Sequence, residues 1–138
     1  MMRFLPFLVL LFAVLASCTS PISLPFEAEN AEVTLTSGTQ ADAHAALQVI
    51  TKFLEHWRDD EIEKALAFVI PKLRDQFQKE LTRKHESVKG IKHIKSIRVY
   101  THSRRNVLVA RVGFVVAPDQ EIRMDMEFGE GRWMVTAL

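Results

Sequence analysis

The stretch Glu121-Ile122-Arg123-Met124-Asp125-Met126-Glu127-Phe128 alternates charged and apolar side chains without interruption. Successive side chains of a strand point to opposite faces. The alternation therefore predicts a half-buried strand, with Ile122, Met124, Met126 and Phe128 inward and Glu121, Arg123, Asp125 and Glu127 in water. Downstream, Gly129-Glu130-Gly131 reads as a turn into a last strand, Arg132 to Leu138, that carries Trp133 and Val135. Upstream, Ala117 to Gln120 separates it from Asn106 to Ala117, a stretch apolar on both faces apart from Arg111, as a central strand would be. A further turn, His102 to Arg105, precedes a first strand in which Ile97, Val99 and Thr101 share a face. About four strands in a meander follow from these repeats.

Before Gly90 the period changes from two to near 3.6. Thr39 is placed to cap a helix in which Ala46, Val49, Ile50, Phe53, Leu54 and Trp57 fall on one side. Asp59-Asp60-Glu61 opens a second helix, with Ile62, Ala65, Leu66 and Val69 at helical spacing, and Pro71 ends it or begins the next. Leu73, Phe77 and Leu81 mark a third helix, closed by Gly90. Three helices followed by a strand meander predict an α+β domain over residues 39–138, with helices on one face of an antiparallel sheet. Residues 18–38, rich in Ser, Thr and Pro, read as a tether with a short strand at Val33 to Thr36.

Two segments carry a family likeness. Phe53-Leu54-Glu55-His56-Trp57-Arg58-Asp59-Asp60 running into Ala65-Leu66, and the closing Gly131-Arg132-Trp133-Met134-Val135, resemble a small nuclear transport factor 2-like domain. The resemblance implies a cone in which the helices lie in a curved antiparallel sheet. Enzymes of that superfamily place His, Asp or Tyr inside the cone. The strand pattern here instead sends Asp125 outward and sets Tyr100 out of phase with Ile97 and Val99.

The chain begins Met1-Met2-Arg3, followed by thirteen uncharged residues from Phe4 to Ala16. A run of that length falls short of the roughly 20 residues that span a bilayer as a helix, and it matches the apolar core of a secretory leader. Directly after it, Leu15-Ala16-Ser17-Cys18 resembles the bacterial lipobox. That likeness implies removal of residues 1–17 and lipid attachment at the Cys18 thiol. With Thr19 and not Asp after the Cys, it also implies an outer-membrane anchor on the periplasmic face. Two or more acyl chains hold a protein stably on a membrane, whereas one does so only marginally. Cys18 is the only cysteine, so an intramolecular disulfide is excluded.

The 138 residues carry 18 Lys and Arg against 17 Asp and Glu, a balance that argues against a whole-molecule nucleic-acid binder. Charge is nevertheless polarised along the chain. Residues 72–111 hold twelve Lys and Arg against three Asp and Glu, while residues 18–71 hold three against nine. Lys84, Lys89, Lys92, Lys95, Arg98, Arg104 and Arg105 read as a basic interaction surface, suited to an envelope protein or an anionic lipid or glycan, or else as a solvated face. Arg111, Phe114, Met124 and Met126 are the candidates for a cavity in the cone that would take an apolar or anionic ligand; Arg111 otherwise reads as a charge on a solvated face near an edge, or one whose stem snorkels outward, and that reading is the stronger.

Catalytic signatures are sparse. His44, His56, His85, His93 and His102 form no His-Glu-x-x-His pair, and the five glycines make no phosphate loop. Only His56, beside an acidic turn, suggests acid–base chemistry, and a surface or capping role at the helix end explains it better. No cofactor, metal or nucleic acid is expected. The reading is a lipid-anchored accessory protein of the envelope that acts by binding, with a small-molecule carrier or an isomerase- or dehydratase-like enzyme as the competing classes.

Overall fold

A computed structural model describes residues 30–138. The leader expected over residues 1–17 and the lipidation expected at Cys18 lie outside the described residues. The elements run β1 (Glu32–Leu35), α1 (Gln40–Arg58), α2 (Ile62–Leu66), a 3-10 turn (Pro71–Leu73), α3 (Arg74–Arg83), α4 (His85–Val88), β2 (Ile91–Thr101), β3 (Leu108–Val116), β4 (Gln120–Gly129) and β5 (Arg132–Ala137). The α+β class expected from the sequence is present. The sheet has five strands rather than four, in the order β1-β2-β3-β4-β5. It is mixed rather than antiparallel, because β1 pairs parallel to β2, with Val33 opposite Ile97 and Leu35 opposite Val99. Antiparallel meander connections link the other four strands. The short strand β1 draws the sheet back into the segment read as a tether.

Helix α1 starts at a reciprocal cap. The Thr39 hydroxyl accepts the Asp42 N–H at 3.2 Å, and an Asp42 carboxylate oxygen accepts the Thr39 N–H at 2.8 Å. Its apolar stripe, Ala43, Ala46, Leu47, Ile50, Phe53, Leu54 and Trp57, is buried against one sheet face. The sheet supplies Ile94, Ile97 and Val99 from β2, Ala110, Val112, Phe114 and Val116 from β3, Met124 and Met126 from β4, and Trp133 and Val135 from β5. At the end of α1 the Trp57 indole N–H donates to the Leu81 carbonyl at 2.8 Å, tying α1 to α3.

The second and third helices depart from the expected lengths. α2 stops at Leu66, and Val69 becomes extended instead, bridging β5 at Val135. Val135 N–H donates to the Phe68 carbonyl at 2.8 Å, and Ile70 N–H donates to the Val135 carbonyl at 3.2 Å. Pro71 disfavours a helical Ile70, which sits at φ −58° and ψ 139°. The Arg74 guanidinium, through Nε, reaches the Leu66 and Val69 carbonyls at 3.1 and 3.2 Å, satisfying groups left open by the short helix. The third helix breaks at Lys84 rather than running to Gly90. The break turns the chain so that Val88 is buried, and the His85 ring nitrogen Nε2 lies 3.1 Å from the Arg58 carbonyl.

Gly90 serves a second purpose. Its carbonyl accepts the Ala117 N–H at 2.7 Å, and a Cβ on Gly90 would lie 2.9 Å from the Ala117 Cβ. Glycine therefore lets the start of β2 approach the end of β3. Phe128 keeps the inward face, opposite Trp133, but is not covered there. It lies at the hairpin end of β4 and is 40% exposed, with its ring tilted against Trp133 at 5.5 Å.

Candidate binding surface on the open sheet face

The residues of alternate parity form the face of the sheet opposite the helices. Strand register fixes its rows. Ser96, Gly113 and Arg123 are neighbours across β2, β3 and β4, as are Arg98, Arg111 and Asp125, and then Tyr100, Val109 and Glu127. Arg111 therefore lies on the opposite side of β3 from Phe114, separated from it and from Met124 and Met126 by the sheet itself. This corrects the expectation that the four line one cavity. Residues 111 and 114 on one strand differ in parity, so they cannot share a face without a bulge. Phe114, Met124 and Met126 are packed into the core beneath the helices, and none of the described surface depressions reaches them.

On the open face Arg111 forms a forked pair with Asp125, with Nε at 2.9 Å and Nη2 at 3.4 Å from the two carboxylate oxygens. The neighbouring carboxylate raises the pKa of the guanidinium above its ordinary value. The Tyr100 ring is flanked by two guanidinium carbons, Arg98 at 5.5 Å and Arg111 at 6.0 Å from its centroid. Contacts of this kind are each worth about 0.5–1 kcal/mol at exposed sites. They hold two cations side by side on neighbouring strands, where like charges would otherwise repel.

The basic cluster read from sequence disperses in space. Lys92 and Arg104 lie at opposite ends of β2, which spans roughly 30 Å at the usual rise of a strand. Most of its members are also neutralised. Lys84 pairs with Glu80 at 3.4 Å, Lys89 with Glu86 at 2.9 Å, Lys92 with Asp119 at 3.3 Å and Lys95 with Glu121 at 3.3 Å; Arg105 pairs with Glu127. Lys92 and Lys95 sit at the two irregularities of the β2–β3 register, which lets them reach across β3 toward these acids. Arg98 and Arg104 have no carboxylate within ion-pair distance among the described residues.

Four of the histidines make local contacts. His44 lies 3.3 Å from Gln48 Nε2, and His85 touches the end of α1. His102 Nδ1 accepts the backbone N–H groups of Arg104 and Arg105 at 3.3 and 3.2 Å, which orders the β2–β3 loop. His56 Nδ1 is 3.1 Å from Glu61, and its ring stacks near Phe68 at 6.1 Å. Lys64 first, then His56, holds the Glu61 carboxyl below its ordinary pKa. Among the described residues no three His, Cys, Asp or Glu side chains are grouped to hold a metal ion.

Sequence reasoning did not find the surface groove at the β4–β5 hairpin. It measures about 350 Å³ and includes Ile70, Lys72, Val107, Phe128, Arg132 and Met134. These residues come from four separate segments, and only the unexpected bridge at Val69 brings Ile70 and Lys72 to the hairpin. The available signal was Phe128, an aromatic residue directly before the Gly129-Glu130-Gly131 turn read from the sequence. Compared with known proteins, the chain matches no family model, no curated protein and no solved structure.

Proposed function

We propose that this chain is an exported lipoprotein, anchored at the outer membrane through Cys18, whose domain binds an anionic envelope partner through the open sheet face. The observation that carries the reading is the pair Arg98, on that face, and Arg104, in the loop that follows β2, the members of the basic cluster that lack a carboxylate partner among the described residues. Their charge is free to act outward, whereas the five paired cations would first have to give up an existing contact. The lipobox supports export and anchoring, and the order of helices then meander supports a nuclear transport factor 2-like fold. The carrier reading loses support, since Phe114, Met124 and Met126 fill the space a cone cavity would need.

The test is capture of the tagged full-length chain from gently solubilised envelopes, with mass spectrometry of both chain and partners. The expected result is a mature chain beginning at Cys18 and carrying acyl groups, with a stoichiometric partner lost in the doubly reversed variant Arg98→Glu, Arg104→Glu. Capture unchanged by that variant and insensitive to salt overturns the surface. An unmodified Cys18 overturns the anchor.

A further inference from the structure

The groove at the β4–β5 hairpin combines an apolar floor with a cationic rim. We infer that it is a binding site for a small anionic amphiphile, one alkyl chain ending in a phosphate or carboxylate. Its volume, about 350 Å³, lies at the lower end of the roughly 300–1,000 Å³ typical of small-molecule sites. Phe128 is the one large hydrophobic residue that is strongly exposed among the described residues, and it borders this groove at the hairpin, with its ring against Trp133 on the helix side of the sheet. Met134, 7% exposed, Ile70 and Val107 supply the apolar surface of the groove. An alkyl chain laid on them would take apolar surface out of water, a gain that scales with the area covered.

The rim decides the head group. Lys72 and Arg132 border the groove and have no carboxylate within ion-pair distance among the described residues. Arg105 also borders it but is engaged by Glu127, and Glu130 is the single carboxylate at the rim outside such a pair. Two uncommitted cations against one carboxylate favour an anion, and a phosphate or carboxylate can accept charge-assisted hydrogen bonds from both. The groove borders the same open face, because Glu127 shares a row with Tyr100 and pairs in register with Met134, but it contains neither Arg98 nor Arg104, so its test is separate from that of the docking proposal.

Methionine methyl NMR tests it directly. Met134 lines the groove, while Met124 and Met126 lie in the core as internal controls. The full chain is carried in neutral-lipid nanodiscs and titrated with octyl phosphate, octanoate, octyl glucoside and inorganic phosphate. The expected result is a saturable shift of the Met134 methyl with octyl phosphate and octanoate, with Met124 and Met126 unmoved. Affinity should fall about ten-fold in Lys72→Gln, Arg132→Gln, as loss of charge-assisted bonds implies. An unmoved Met134 overturns the site. Equal affinity for octyl glucoside overturns the anionic head, and equal affinity for inorganic phosphate overturns the alkyl chain. Exposed substitutions leave the core intact, and unchanged Met124 and Met126 shifts verify that in each variant.

Discussion

Trp57 joins two helices through a single polar atom. Its ring is buried beside Phe53, and its indole N–H reaches the Leu81 carbonyl near the end of α3. Trp57→Phe keeps most of the apolar bulk but leaves that carbonyl without its donor in a dry site. The loss should be about 1–3 kcal/mol, measured as a lower urea midpoint with unchanged slope. The paired Arg111 offers the contrast, since exposed ion pairs contribute only about 0–1 kcal/mol. The sequence showed Trp57 to be a core residue through its helical spacing. It could not show the partner, because Leu81 lies 24 residues away and offers a backbone atom, which carries no residue identity. Arg111 is of another kind. It lies on the solvated face, as the stronger of its two sequence readings has it, and strand parity was sufficient to rule out the cavity shared with Phe114.

At the scale of elements, pattern succeeded where one face was apolar and the other polar, as in α1 and β4. It failed where a local propensity yielded to tertiary pairing. Ala65, Leu66 and Val69 keep helical spacing, yet Val69 is extended because β5 offers its edge and Pro71 excludes a helical Ile70. Glycine carried more than its pattern showed. Gly90 does follow the last helical turn, as a stop would, and its lack of a side chain also serves the approach to Ala117. Gly90→Ala forces a Cβ to within 2.9 Å of the Ala117 Cβ and 3.3 Å of its backbone nitrogen, where relief requires the strands to part. Destabilisation of about 1–3 kcal/mol is expected, as for other overpacked sites. The hairpin glycine Gly129 provides the control. A Cβ there meets nothing within 4 Å, so Gly129→Ala should change the thermal midpoint little.

Across the whole molecule part of the charge polarity of the sequence is opposed by pairing. The basic segment meets acids of β4 and of the turn before it through Lys92–Asp119, Lys95–Glu121, Arg105–Glu127 and Arg111–Asp125. The helices carry shorter-range pairs with the same consequence for acid stability. Lys64 beside Glu61, Arg83 beside Glu80 and Lys89 beside Glu86 each hold the carboxyl below its ordinary value of 4.5. The folded chain therefore binds these protons more weakly than the unfolded chain does. Their contribution to stability is complete above pH 4.5 and is lost as pH falls through the lowered values. Lys64, raised above 10.5 by Glu61, gives the matching loss at the alkaline end. Since all these groups are exposed, salt should screen both effects. Urea midpoints measured from pH 7 to pH 3 should hold steady and then fall below pH 4.5, with a shallower fall in 1 M NaCl. A decline that begins well above pH 4.5 and ignores salt would overturn the assignment of acid sensitivity to these carboxylates.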